Sequence, residues 1–136
     1  MKKTKKDRKE IYEELIKLRV RIKNELEKAQ NDYRNDVRYC ADRYASPFSE
    51  AKILVWEDFI EIFDEICFWF ITKQSPLENT QKLLERLNEE LMETKNEKEV
   101  SAINNHLSFL NGRAKALESA IGYTEKVVKL FEELEG

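Results

Sequence analysis

The sequence predicts an all-α protein, a bundle or coiled-coil hairpin of about four long helices. Three observations carry that expectation. Only three Gly and two Pro punctuate 136 residues, so there are few places for chain breaks. Apolar residues recur at spacings of three and four over long stretches, the period of an amphipathic helix. Charged residues make up 38% of the chain against 41% hydrophobic, a balance typical of helices with one buried face and one wet face. That hydrophobic share supports a core, and the length suits a single domain spanning residues 7–136.

The first six residues, MKKTKK, carry four lysines and no apolar anchor, which predicts a disordered basic tail. Asp7 followed by Glu10 has the spacing of a capping box, so a first helix is expected over about 8–45. Its stripe runs through Ile11, Leu15, Leu18, Ile22, Leu26, Ala29, Tyr33 and Val37 towards Cys40 and Tyr44. Ser46-Pro47 marks the next boundary, because proline suits the first turn of a helix and disfavours helical angles just before it. A second helix follows over 47–73. Phe48, Val55, Phe59, Ile62, Phe63, Ile66 and Phe70 form its stripe, while Leu54, Trp56, Ile60, Phe68, Trp69 and Ile71 widen it, so this helix needs cover on more than one side.

Ser75-Pro76-Leu77-Glu78 repeats the boundary, here as a capping box with proline at the first helical position. The third helix is expected over 76–95, with Leu77, Thr80, Leu84, Leu87, Leu91 and Thr94 in heptad register. Glu93 to Glu99 contains no apolar residue, and a stripe shifted by two positions begins at Val100. A hairpin at 95–97, with Asn96 capping a fourth helix over 97–134, is favoured over one continuous helix of about 60 residues. The fourth stripe comprises Ile103, Leu107, Leu110, Ala114, Leu117, Ile121, Thr124, Val128 and Phe131. Gly112, Gly122 and Ala114 are candidates for a close helix crossing.

Several function classes are disfavoured. The longest charge-free stretch near the apolar centre, Ile66 to Thr72, has seven residues, far short of the roughly 20 that span a bilayer. The basic N-terminus leads into charged residues rather than an apolar run, so a cytoplasmic chain is expected. Cys40 and Cys67 lack paired or zinc-like spacing, and His106 is the single histidine, so no metal, cofactor or nucleophilic centre is expected. Paired carboxylates are the one hint of catalysis. Glu57, Asp58, Glu61, Asp64 and Glu65 lie on the second helix, and the Glu61-x-x-Asp64 spacing resembles that of all-helical, magnesium-dependent nucleotide pyrophosphohydrolases. A solvated acidic face explains the same residues more simply, and a nucleic-acid mimic that occupies a basic groove on another protein is a further reading.

Charge is distributed unevenly, with residues 1–46 at +5 and the two following segments, 47–75 and 76–136, at −4 each. On the first helix Arg34, Arg38, Tyr39 and Arg43 interleave aromatic and guanidinium groups, a composition suited to nucleic acid. The apolar excess at Trp56, Phe68, Trp69 and Phe70, with the seam Leu107, Leu110, Ala114, Leu117 and Ile121, predicts a homodimer or protein interface. The leading expectation is therefore a non-catalytic helical protein that binds itself and another protein, inhibiting or scaffolding it, with no small-molecule substrate. The excess of lysine over arginine, 16 to 8, fits an accessory protein of an AT-rich bacterium or its phage. Nucleic-acid binding is the main alternative and a metal-dependent nucleotide hydrolase the second.

Overall fold

The computed structural model describes residues 7–39, 45–101 and 104–135. It contains four helices: α1 (Arg8–Tyr39), α2 (Ala45–Thr72), α3 (Pro76–Val100) and α4 (Asn104–Glu135). The expected basic tail, the end of the first helix at 40–44, and Ile103 lie outside the described residues. No helix among those described is long and apolar enough to cross a membrane.

The helices form two antiparallel hairpins, α1–α2 and α3–α4. The second helices of the hairpins run side by side in parallel, since Phe48 abuts Gly112, Trp56 meets Tyr123 and Phe70 stacks on Phe131 at 5.6 Å. The outer helices are packed more one-sidedly: α1 lies along α2 and only grazes α4, and α3 lies along α4 and only grazes α2. The cross-section is thus a diamond with α2 and α4 on its short diagonal. This position explains why α2 carries apolar residues on several faces, with Trp56, Phe59, Phe63, Ile66 and Phe70 all buried. For α4 it adds a second buried face, Ala116, Ala120, Val127 and Leu130, to the seam expected from the heptads.

Local chemistry sets the ends. The Asp7 carboxylate accepts the Glu10 amide at 2.9 Å, and the Asp7 carbonyl accepts the Ile11 amide, so Asp7 caps α1 as its spacing implies. At the end of α2 the Gln74 amide reaches the Trp69 carbonyl and the Lys73 amide reaches that of Phe70. This is a Schellman closure with Lys73 in the left-handed region, at φ 58. Arg8 donates to the same Phe70 carbonyl at 2.5 Å and lies over the Phe70 ring, placing a cation at the negative end of the helix.

Four sequence expectations need correction. Ser75 precedes Pro76 at the start of α3, but it is left-handed (φ 47) and makes no side-chain cap, because the tight turn rotates its hydroxyl away from the first-turn amides. The Asn79 side chain instead donates to the Gln74 carbonyl. The second hairpin turns after Val100, with the Ser101 amide closing onto the Glu97 carbonyl, rather than at 95–97. Asn96 is therefore inside α3, and Val100 is its exposed last residue rather than the first of the α4 seam. Val37 is exposed as well, since the α1–α2 contact at that level is polar, with Ser49 donating to Asp36 at 2.6 Å. Finally, only Gly112 marks a close crossing: a Cβ there would strike the Phe48 carbonyl, whereas a Cβ at Gly122 would meet open space.

The three buried threonines at heptad positions keep their hydroxyls satisfied within their own helices. Thr80, Thr94 and Thr124 donate to the carbonyls of Pro76, Glu90 and Ala120. Their methyl groups are thereby left to pack in the core.

Candidate interaction surfaces

The seam residues divide cleanly by burial. Leu110, Ala114, Leu117 and Ile121 are core residues of this chain, as are Trp56 and Phe70, so the fold uses them internally. Leu107 and Trp69 are half-buried. Of the aromatic run at the end of α2, Phe68 is the member left open, at 57% exposure, together with Ile71.

These two side chains have neighbours that sequence spacing alone did not bring together. The Arg8–Phe70 contact and the Arg19–Asp64 ion pair (2.7 Å) fix the antiparallel register of α1 against α2. Tyr12 and Ile16 fall between those ties on α1, and Phe68 falls between them on α2 with Ile71 one residue past Phe70. Tyr12, Ile16 and Val20 occupy successive turns of α1, and all three are exposed. Helical rotation places them beyond the α2 contact, on the side of α1 away from the core stripe Ile11, Leu15, Leu18 and Ile22. Hence Tyr12, Ile16, Val20, Phe68 and Ile71 form one apolar strip along the outer seam of the α1–α2 hairpin. The sequence signal was present as an i, i+4, i+8 repeat beside the main stripe, but it had no partner until the register was known.

The acidic residues of α2 are all exposed but do not converge. Asp64 is engaged by Arg19, and this contact raises the arginine's pKa through the shared hydrogen bond and the opposite charge. Asp58 and Glu61 turn the other way, into a cleft of about 360 Å³ between α2 and α3 whose rim also holds Arg86, Glu90 and Arg113. Glu65 lines the continuation of that cleft beside Trp69 and Lys82, and Glu57 stands apart from both clefts. Among the described residues no cluster of three or more His, Cys, Asp or Glu side chains could hold a metal ion.

Arg34 and Arg38 are exposed on α1; Arg34 donates to the Asn31 side chain at 2.5 Å. Arg43 and the side chain of Tyr39 lie outside the described residues. His106 approaches Glu97 at 4.0 Å across the second hairpin turn, with both side chains exposed. The Cys67 thiol is half-buried at the α1–α2 seam. Burial foremost, then the nearby Asp64 carboxylate, pushes it up to about 11, the reverse of what a nucleophilic cysteine requires.

Fold and surfaces together define an all-α four-helix bundle of long helices. No family model, curated protein or solved structure matches this chain, so function is argued from its surfaces.

Proposed function

We propose that this is a non-catalytic helical interaction protein that pairs with a second copy of itself through the outer α1–α2 face and, as a dimer, holds or inhibits a macromolecular partner. The observation that supports this reading is the exposed strip of Tyr12, Ile16, Val20, Phe68 and Ile71. At these exposures it presents roughly 500 Å² of apolar surface, the upper part of the range for the largest patch on a monomer. A second copy suits it because a twofold axis brings the same apolar patch of both subunits together. Two such strips bury about 1,000 Å² in total, near the lower limit of specific interfaces. An interface of that size falls in the class of weak, transient contacts.

Light scattering across a hundredfold concentration range tests this. The expected result is a monomer–dimer equilibrium for the native chain and a monomer throughout for Ile16→Glu/Phe68→Glu with unchanged helical content. A native chain that stays monomeric at every concentration would contradict the proposal. So would a double variant that still dimerises.

A further inference from the structure

The cleft between α1 and α4, on the opposite side of α1 from the apolar strip, has a different character. At its lower end Lys17 and Arg21 of α1 face Lys126 and Lys129 of α4, with Glu14 as the one carboxylate lining it. At its upper end Lys28, Lys52 and Lys115 gather around Glu25 and Asp32. Tyr123 lies between the two ends, where both Glu25 and Arg21 influence its hydroxyl. Seven cations and three carboxylates thus line one cleft in a chain whose net charge is −3.

Most of these cations are not held in ion pairs among the described residues. Lys17 pairs with Glu14 at 3.4 Å. Arg21, Lys28, Lys52, Lys115, Lys126 and Lys129 have no ion-pair partner among the described residues. Lys52 and Lys126 rest instead against the rings of Phe48 and Tyr123. Burial foremost, then Lys115, pushes the Lys52 ammonium below its usual range, while Asp32 and Glu25 act in the opposite direction. Meanwhile residues 45–100, which hold α2 and α3, carry 13 carboxylates against six cations, one of which is the cleft's Lys52. The bundle is therefore sharply polarised, and an anionic ligand is steered to one side of it.

We infer that the α1–α4 cleft binds the sugar-phosphate backbone of single-stranded nucleic acid. From Lys115 to Lys129 the α4 wall is ~21 Å long at 1.5 Å per residue, enough for a site of a few nucleotides. Lys17 and Arg21 of α1 line the same groove as Lys126 and Lys129 of α4, so a single phosphodiester chain laid along it meets cations from both helices. The aromatic rings along it are occupied, Trp56 by burial and Tyr123 by Lys126. Recognition is then through phosphates, without base stacking and without sequence preference. This cleft is distinct from Arg34 and Arg38, which do not line it.

Fluorescence anisotropy with the full chain and a labelled 12-nucleotide oligothymidylate is the test. About four phosphate contacts give a log–log salt slope near −3, or a roughly 60-fold loss of affinity between 50 and 200 mM salt. The variant Arg21→Glu/Lys126→Glu/Lys129→Glu is expected to bind at least tenfold more weakly. Lys82→Glu/Lys95→Glu/Lys98→Glu on α3 matches its charge change outside the cleft and should alter affinity less than threefold. Circular dichroism establishes that both variants fold. Absence of binding at 20 mM salt, equal losses in both variants, or loss only when the four tail lysines are changed to glutamine would overturn the inference. Tighter binding of a duplex of the same length, or equal competition by polyglutamate, would also overturn it, the latter in favour of an acidic protein.

Discussion

Individual side chains in this bundle are read best through what they touch, and two glycines on one helix show how far that decides their effect. Gly112 and Gly122 both sit in α4 with ordinary helical geometry, where alanine would by itself add ~1 kcal/mol. At Gly112 the added methyl meets the Phe48 carbonyl, a backbone atom that can move only with its helix. Gly112→Ala should therefore destabilise by roughly 1–3 kcal/mol, the usual range for overpacking, while Gly122→Ala should stabilise by about 1 kcal/mol. Urea denaturation of the two variants reads both signs. Cys67 offers a second check. With its thiol near 11 against an ordinary 9.0, a Cys40→Ser chain at pH 8 should react with a thiol reagent about 100-fold more slowly folded than unfolded. The sign of the linkage follows: between pH 9.0 and about 11 the folded chain keeps a proton that the unfolded chain has released. The contribution of Cys67 to stability is complete below that window and is lost as pH rises through it.

Helices and their turns were legible in the sequence to different degrees, for physical reasons. Lys73 closes α2 in a left-handed conformation that costs a side-chain-bearing residue ~1 kcal/mol relative to glycine. Lys73→Gly should therefore raise the midpoint of thermal unfolding, provided the Gln74–Trp69 and Lys73–Phe70 closures persist. That turn was readable because Ser75-Pro76 announces it. The second turn was not, because the apolar gap from Glu93 to Glu99 has the same pattern as the end of a helix. Such a gap reports the absence of a neighbour rather than the absence of helix: α3 runs on through exposed residues rich in Glu and Lys, which are good helix formers. The heptads of α4 predict an interface seam, but Leu110, Ala114, Leu117 and Ile121 pack inside this chain. The second buried face of α4 escaped notice because Ala116 and Ala120 carry too little side chain to stand out, and because nothing local reveals that α4 lies on the short diagonal of the bundle.

At the scale of the whole molecule, the two surfaces that support a function each need two helices to exist. The apolar strip joins α1 to α2 and the basic cleft joins α1 to α4, so neither is complete in any single stretch of sequence. The expected interface residues Trp56, Phe70, Leu110, Ala114, Leu117 and Ile121 are buried inside the chain, while Phe68 stays exposed. Self-association through the outer α1–α2 face is the central claim, and twofold symmetry makes it testable by position. The middle of a self-complementary strip lies nearest the axis, which here is Ile16. With Cys40 and Cys67 changed to serine, single cysteines can be placed at Ile16 and, as a control of similar exposure, at Met92 on α3. The measurement is the rate of disulfide-linked dimer formation under mild oxidation at a concentration where the native chain associates. The account predicts rapid crosslinking of Ile16→Cys and slow crosslinking of Met92→Cys through chance collisions; equal rates, or faster crosslinking at Met92→Cys, would contradict it.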